Sequence, residues 1–313
     1  MNNRLRISGA CRLDDWGVIR AHGADAGPFL QGQLTNDVLG LAGERACLAG
    51  FCSAKGRLQA SFVVWQAGSD DFFLACSASL LVPTLKRLSM FVLRARCKLC
   101  DASGEVRLWG VAGAAATALL DGAAVWARRD TGFAAAIRLP DGAGEMRGLV
   151  AASNEFDGRT LASDALTLDD WHWLAVQSGV VTIEAATVDR FVPQMVNFER
   201  IGGVDFKKGC YPGQEVVARS QYRGTTKRRT FLYDCDALPA AGQDVFASDL
   251  AQEPAGTVVN AAPLPGQTGG SALIELRLAA LGAGELRLGS IDGALLRRVE
   301  MPYVIPLEAE TVA

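Results

Sequence analysis

The chain has 313 residues and a net charge of −3, with 50% of its residues hydrophobic and 21% charged. This composition excludes a disordered chain, a collagen and a coiled coil, and no apolar run reaches the ~20 residues of a membrane span. Because the N-terminus also lacks the apolar segment of a secretory signal, we expect a globular, cytoplasmic protein with no membrane partner.

The first hundred residues predict a compact α+β unit. Alternation of apolar and polar residues predicts a strand at residues 16–21, and apolar spacing predicts a helix within residues 23–37. The rest of the unit consists of predicted strands at 46–51, 58–66, 72–76 and 95–100, with a helix at 80–93.

A second α+β unit follows, and the chain ends in β-rich runs. Strands are predicted at 105–111, 123–129, 133–139 and 145–152, with a helix at 114–120. Thr167 and Asp170 form a capping box, which predicts the start of a helix. This helix should run to Gln177 and stop at Gly179. From residue 230 onward, short strands between glycine- and proline-rich turns predict a small antiparallel barrel or sandwich.

The eight cysteines and two histidines constrain the chemistry. A chain of this length without an export signal needs no disulfide bonds, so we expect free thiols. Two histidines are too few for most zinc hydrolase sites, and no cysteine spacing fits an iron–sulfur cluster. Cys97 and Cys100 form a CxxC pair, but a strand would point them to opposite faces, which favours structural thiols. We therefore expect no bound metal.

The most informative stretch is residues 207–215, with the sequence Lys-Lys-Gly-Cys-Tyr-Pro-Gly-Gln-Glu. It places Cys210 in a turn punctuated by glycine and proline, just before a helix predicted at 215–222. The helix N-terminus and the ammonium groups of Lys207 and Lys208 favour the thiolate form, so Cys210 is a candidate functional thiol. A tight turn with an incidental thiol is the alternative.

The same region reverses the sign of the charge. Between residues 207 and 229 there are seven basic residues and one acidic residue, whereas the whole chain is acidic. A focused basic patch predicts an anionic ligand, such as a polyglutamate tail, a phosphate or an RNA backbone. The alternative is a solvated face whose charges pair with acidic neighbours. We assign the anion patch to Arg219, Arg223, Lys227 and Arg228.

The motif around Cys210 has a highly specific form, K-G-C-[FY]-x-G-Q-E. Its residues are Lys208, Gly209, Cys210, Tyr211, Gly213, Gln214 and Glu215. Related stretches occur at 13–16, 23–25, 30–38, 54–57 and 193–197. By these residues the chain resembles the YgfZ family, a group of folate-binding proteins related to the glycine-cleavage T-protein. The resemblance covers nearly the whole chain, and it is weak at 104–163 and in the C-terminal barrel.

The resemblance implies an α+β fold with the three-part architecture of the T-protein. Two α+β units would surround a central folate pocket, and an antiparallel β-barrel would follow them. Residues 1–20 and 105–225 would form a discontinuous first domain that carries the cysteine motif, with 21–104 inserted into it and 226–313 as the barrel. By motif match, Trp16 and Trp171 take folate-contacting positions, and tetrahydrofolate or a derivative is the implied ligand.

Members of this family support the assembly or repair of iron–sulfur clusters, and thereby the iron–sulfur enzymes that modify tRNA. The resemblance therefore implies transient contacts with iron–sulfur proteins, and we expect a monomer. Direct RNA binding is not expected, because the basic patch is single and few aromatic residues are interleaved with it.

Two departures separate this chain from the T-protein, which is an aminomethyltransferase. The T-protein's Arg-x-Glu-x-Gly element reads Ala-Val-Gln-Ser-Gly at 175–179, with Gln177 in place of the glutamate. The junction at 74–79, where the T-protein has an aspartate, carries no carboxylate. A neutral amide cannot deprotonate or electrostatically support an amine-forming step. We favour an accessory protein and keep a folate-dependent aminomethyltransferase as the alternative.

Overall fold

The computed structural model describes residues 7–41, 43–132, 134–222, 226–250 and 253–305. The strands, numbered in chain order, are β1 (Gly9–Arg12), β2 (Trp16–His22), β3 (Ala46–Cys52), β4 (Leu58–Gly68), β5 (Asp71–Ser77), β6 (Lys98–Asp101), β7 (Val106–Ala112), β8 (Arg128–Asp130), β9 (Ala134–Gly142), β10 (Glu145–Ser153), β11 (Arg228–Cys235), β12 (Asp244–Ala247), β13 (Gly256–Pro263), β14 (Gly270–Arg277), β15 (Leu286–Leu288) and β16 (Leu296–Val299). The helices are α1 (Ala26–Gln31), α2 (Ala78–Ser89), α3 (Ala114–Leu120), α4 (Leu168–Gln177) and α5 (Gln214–Tyr222). None of these helices is long and apolar enough to cross a membrane.

The first sheet joins the start of the chain to its middle. Its strand order is β1-β7-β10-β9-β8, and all neighbouring strands are antiparallel. Val111 and Val150 pack with Leu120 of α3 in one core, whereas Leu108 and Leu149 belong to a different core. Because side chains alternate along a strand, the two faces of this sheet serve two separate cores.

The second sheet has the order β3-β4-β5-β2-β6, again with antiparallel neighbours. Leu30 of α1 and Leu81 of α2 pack into its core around Phe62 and Leu74. Strand β2 pairs with β5 along its full length, so the boundary predicted at residue 20 falls inside this strand. The division into three domains stays a prediction.

The third sheet is the C-terminal barrel. Its order is β15-β12-β13-β14-β11-β16, and a bridge between Arg287 and Leu295 brings its two edges together. The barrel is therefore nearly closed, with Phe231, Val258 and Ile274 in its interior. This arrangement confirms the predicted α+β class and the antiparallel barrel.

Helix α4 lies between the first sheet and the barrel, and its ends follow the sequence prediction. The Thr167 hydroxyl accepts a hydrogen bond from the Asp170 amide at 3.0 Å. The helix ends at Gln177, and Gly179 has a φ of +69°, which suits a glycine. The predicted helix start and the glycine stop are both confirmed, although the Asp170 carboxylate accepts its hydrogen bond from the Thr167 hydroxyl, at 2.6 Å, and not from the Thr167 amide as a full capping box requires.

Helix α2 ends earlier than predicted, at Ser89 instead of residue 93. The amides of Met90 and Phe91 bond to carbonyl oxygens three residues earlier, which tightens and closes the last turn. The chain then turns back to form β6, which begins at Lys98. Cys97 therefore lies just outside the strand that was predicted to hold both cysteines of the CxxC pair.

Candidate functional site

Several parts of the molecule meet around a cavity of about 360 Å³, which we call the central cavity. Strand β2 contributes Trp16, the start of α2 contributes Ser79, α4 contributes His172 and the barrel contributes Asn260. A narrower space, the adjoining pocket, shares Trp16 and is also lined by Arg147 of the first sheet. A ligand in these two spaces would contact both α+β sheets and the barrel.

Both tryptophans that the sequence singles out line the central cavity. Trp16 is half-buried and also lines the adjoining pocket. Trp171 is 1% exposed: the Arg147 guanidinium lies 4.5 Å from its ring centre, and a Cβ added at Gly110 would lie 2.5 Å from the ring. Trp16 can therefore stack on a flat ligand, whereas Trp171 forms part of the wall. Folate contact by either residue stays a prediction.

Three ionisable side chains outside the sequence motifs' predicted site residues also line the central cavity. His172 Nε2 lies 2.8 Å from Asp15 Oδ2, and Glu184 accepts a hydrogen bond from Asn260 Nδ2 at 2.9 Å. Burial raises the pKa of Glu184. Asp15 directly precedes Trp16, and His172 directly follows Trp171. Their position beside the predicted tryptophans is the feature of the sequence from which both could have been predicted. Because it has two carboxylates and one imidazole, the central cavity favours ligand groups that carry N–H donors over anionic ligand groups.

The pair of His172 and Asp15 should make stability depend on pH. Burial alone would lower the pKa of His172, but the hydrogen bond and charge of Asp15, together with the charges of Glu184 and Asp169, outweigh burial, and the pKa is raised. The pair therefore stabilises the folded state fully below about pH 6.5 and loses this contribution as the pH rises through the folded-state pKa.

Asp15→Asn should cost up to about 1 kcal/mol at pH 6, because both side chains are partly exposed, and less at pH 9. Urea unfolding of wild type and variant at the two pH values measures this difference. A cost that is the same at both pH values would show that the ion pair does not contribute.

The loop that carries Cys210 is anchored on two sides. Lys208 Nζ donates hydrogen bonds of 2.5 Å to the carbonyl oxygens of Gln31 and Leu34, at and just after the end of α1. Burial lowers the pKa of Lys208 to about 8. On the other side, Gly213 packs against the turn at 53–56. Between these anchors Cys210 is exposed, so a fixed backbone presents the thiol to solvent.

The remaining motif residues divide into buried and exposed ones. Tyr211 is buried, and the Lys208 ammonium lies 5.1 Å from its ring centre. Gln214 and Glu215 form the first turn of α5, which begins one residue earlier than predicted. Gly209 is exposed, and a Cβ there would meet no atom within 4 Å. Tyr211 and Lys208 therefore hold the loop, whereas Gly209 and Glu215 face solvent.

The structure does not bring Cys210 into the central cavity: no residue of 207–215 lines that cavity or the adjoining pocket. All eight cysteines lie in the described ranges, and Cys210 is the one that is exposed. Cys97 and Cys100 are half-buried, and within the same ranges no three His, Cys, Asp or Glu side chains are grouped to hold a metal. The thiol and the cavity are therefore separate features.

The predicted anion patch also divides in the structure. Arg219 and Lys227 are exposed, and Arg223 lies outside the described residues. Arg228 forms a two-pronged salt bridge with Glu275, in which its Nη2 donates a hydrogen bond of 2.8 Å. For Arg228 the alternative of a paired charge therefore holds, and its partner lies on β14, on the face of the barrel sheet opposite to the interior residues Phe231 and Ile274. Anion binding by Arg219 and Lys227 stays a prediction.

The positions that depart from the T-protein pattern lie at or near the central cavity. Gln177 Nε2 donates a hydrogen bond of 3.1 Å to Ser271 Oγ, which ties α4 to the barrel. The junction between β5 and α2 presents Ser77 and Ser79, whose hydroxyls lie 2.8 Å apart. The positions at which the T-protein has acidic residues are therefore neutral in this chain. The carboxylates of the central cavity come from other segments.

The fold is that of glycine-cleavage aminomethyltransferases. The structure matches the glycine cleavage system aminomethyltransferase T from Bartonella henselae with a TM-score of 0.73, and the match covers 95% of this chain and 86% of that chain. The two sequences are 14% identical, so this likeness establishes the fold alone.

Sequence comparison then identifies the family. No protein-family model matches the chain. It is 34% identical to the tRNA-modifying protein YgfZ of Edwardsiella ictaluri over 75% of this chain and 74% of the relative. The protein of the same name from Escherichia coli O157:H7 is 32% identical over 74% of each chain. The chain belongs to the YgfZ family, which confirms the resemblance found in its motifs.

Proposed function

We propose that this protein is a cytoplasmic accessory protein that binds tetrahydrofolate or a derivative. It would support the assembly or repair of iron–sulfur clusters, and thereby the iron–sulfur enzymes that modify tRNA. Membership of the YgfZ family supports the proposal, since its relatives are named for tRNA modification. The observation that carries it is the central cavity, which both predicted tryptophans line.

The cavity has the properties that a folate-like ligand needs. Its volume of about 360 Å³ lies within the usual range of small-molecule pockets, roughly 300–1,000 Å³. Trp16 offers a ring face for stacking, and the carboxylates of Asp15 and Glu184 can accept hydrogen bonds from ring N–H groups. These residues would hold the folate, which supplies one-carbon chemistry when it is bound.

We assign a separate role to Cys210. The thiol is exposed on an anchored loop and does not line the cavity, which supports action on a protein that docks at the surface. A four-iron cluster takes about four cysteine ligands, so a single exposed thiol does not suit a stable cluster scaffold. We therefore propose transient contacts between a monomer and iron–sulfur proteins.

An aminomethyltransferase activity is the second candidate function. The fold favours it, and so does the presence of Asp15 and Glu184 in the central cavity. Gln177 disfavours it, because this amide is neutral and its N–H₂ group is already bonded to Ser271. We therefore rank folate binding without group transfer first.

Tetrahydrofolate should quench the tryptophan fluorescence of the protein, because Trp16 lines the cavity. Trp16→Ala should weaken binding about 2- to 10-fold, since a stacked aromatic pair contributes about 0.5–1.5 kcal/mol. Trp109→Phe is the control, since Trp109 packs against Phe156 and does not line the cavity. A fluorescence titration measures all three affinities.

Absence of binding at millimolar tetrahydrofolate would disprove the proposed ligand. With an aminomethylated lipoyl carrier added, the protein should produce no methylene-tetrahydrofolate. Robust turnover in this assay would assign the second candidate function instead.

A further inference from the structure

Among the residues that the structure describes, Arg147 is a buried cation without a carboxylate partner. It lies in β10 and is 4% exposed. Asp141, whose charge acts on it, forms its salt bridge with Arg138 instead, at 2.5 Å. Within the described ranges, the only hydrogen bond from the Arg147 guanidinium is a long one to the Pro140 carbonyl oxygen, at 3.4 Å, and its Nε has no partner.

Leaving a buried charge without a partner is unfavourable. Burial lowers the pKa of Arg147 to about 9, so the guanidinium still carries its charge at neutral pH. Its position over the Trp171 ring recovers part of this cost through a cation–π contact. Unpaired buried groups of this kind occur preferentially at functional sites, where a ligand completes them.

The surroundings of Arg147 indicate which ligand group it suits. Arg147 and Trp16 line the adjoining pocket, and Trp16 also lines the central cavity with Asp15 and Glu184. One part of this space therefore carries negative charge, and the other part carries a desolvated positive charge. A ligand with N–H donors and oxygen acceptors would place its acceptors toward Arg147.

We propose that Arg147 binds an oxygen acceptor of the ligand in the adjoining pocket. For a folate, this acceptor is either a carboxylate of the glutamate tail or the ring carbonyl of the pterin, and both accept the forked hydrogen bonds of a guanidinium. The inference rests on the proposed function, because it names a residue that recognises the proposed ligand. None of the residues of the basic patch supplies this contact, since those described do not line either space.

Binding of three probes to the full chain tests this inference by calorimetry: tetrahydrofolate, tetrahydropterin and p-aminobenzoylglutamate. Arg147→Met should weaken tetrahydrofolate binding about 10- to 100-fold, the effect of losing hydrogen bonds from a charged group. Of the two ligand fragments, tetrahydropterin and p-aminobenzoylglutamate, only one should also bind more weakly to Arg147→Met. Loss for tetrahydropterin identifies the ring carbonyl as the acceptor, and loss for p-aminobenzoylglutamate identifies the carboxylate.

Two further variants make the result specific. Arg147→Lys keeps the charge but not the forked donor, so its loss of affinity should be smaller than that of Arg147→Met. Arg129→Met removes an arginine of the same sheet that lines neither space, and it should bind all probes like wild type.

Urea unfolding separates ligand recognition from a structural role. Removing an unpaired buried charge should leave the unfolding midpoint unchanged or higher. Wild-type affinity for tetrahydrofolate in both Arg147 variants would overturn this inference and leave the proposed function standing. Absence of tetrahydrofolate binding by the wild type would overturn both.

Discussion

Alanine at position 213 should destabilise the fold by more than about 3 kcal/mol. Gly213 has a φ of +79°, and a Cβ there would lie 2.4 Å from the Ser53 carbonyl oxygen and 2.6 Å from the Gly56 nitrogen. These are backbone atoms, which cannot move aside as the end of a side chain can. Gly56 is constrained from the other side, since its own φ is +71° and a Cβ would lie 2.8 Å from Val216 Cβ. The cysteine loop and the 53–56 turn are therefore in direct backbone contact.

Alanine at position 209 is the matched control. Gly209 is in the same motif, but its φ is not in the left-handed region, and a Cβ there would meet no atom within 4 Å. Gly209→Ala should therefore change stability by less than about 0.5 kcal/mol. Urea unfolding of both variants beside the wild type measures the difference. Equal midpoints for the two variants would refute the backbone contact between the loop and the turn.

Iodoacetamide should alkylate Cys210 at least about 100-fold faster than Cys47 or Cys52 at pH 7.5. Alkylation requires a thiolate that the reagent can reach, and Cys210 is exposed. Burial raises the pKa of both Cys47 and Cys52 to about 12, so fewer than about one in ten thousand of these thiols are ionised. Timed labelling followed by peptide mass spectrometry measures each rate.

Cys97 and Cys100 serve as internal controls for this labelling, because they are half-buried and should react at intermediate rates. If Cys210 reacts no faster than the buried cysteines, the thiol is not available to a partner. The motif would then serve only to hold the backbone turn, which is the alternative that the sequence left open.

Local patterns predict much of this fold. The capping box at Thr167 and the glycine at position 179 define both ends of α4, because helix ends depend on neighbouring residues. The long strands β4 and β10 begin where they were predicted, at residues 58 and 145, because each is a sustained apolar run. Strands β1 and β12 were not predicted, because each has only four residues and forms by pairing with a distant strand. Such pairing is not visible in a short local pattern.

The site could be predicted only in part. The motif identifies Cys210 as a candidate functional thiol in a turn before a helix, and the two predicted tryptophans line the cavity. The charges of the central cavity and the adjoining pocket were missed, since Asp15, Glu184 and Arg147 come from segments that are far apart in the chain. Pairing of the patch charges was left open as an alternative, but the partner of Arg228 could not be named, because Glu275 is 47 residues away. Only the folded chain shows which of these charges are paired and which are left for a ligand.

Complementation of a strain that lacks this protein tests the proposed function most directly. The readouts are the activities of iron–sulfur enzymes and the thiolation of tRNA, and Cys100→Ser is the control for a half-buried thiol outside the motif. Wild type and Cys100→Ser should restore both readouts. Cys210→Ser should restore neither, while keeping the wild-type urea midpoint and affinity for tetrahydrofolate. Full restoration by Cys210→Ser, or no restoration by the wild type, would contradict the proposed function.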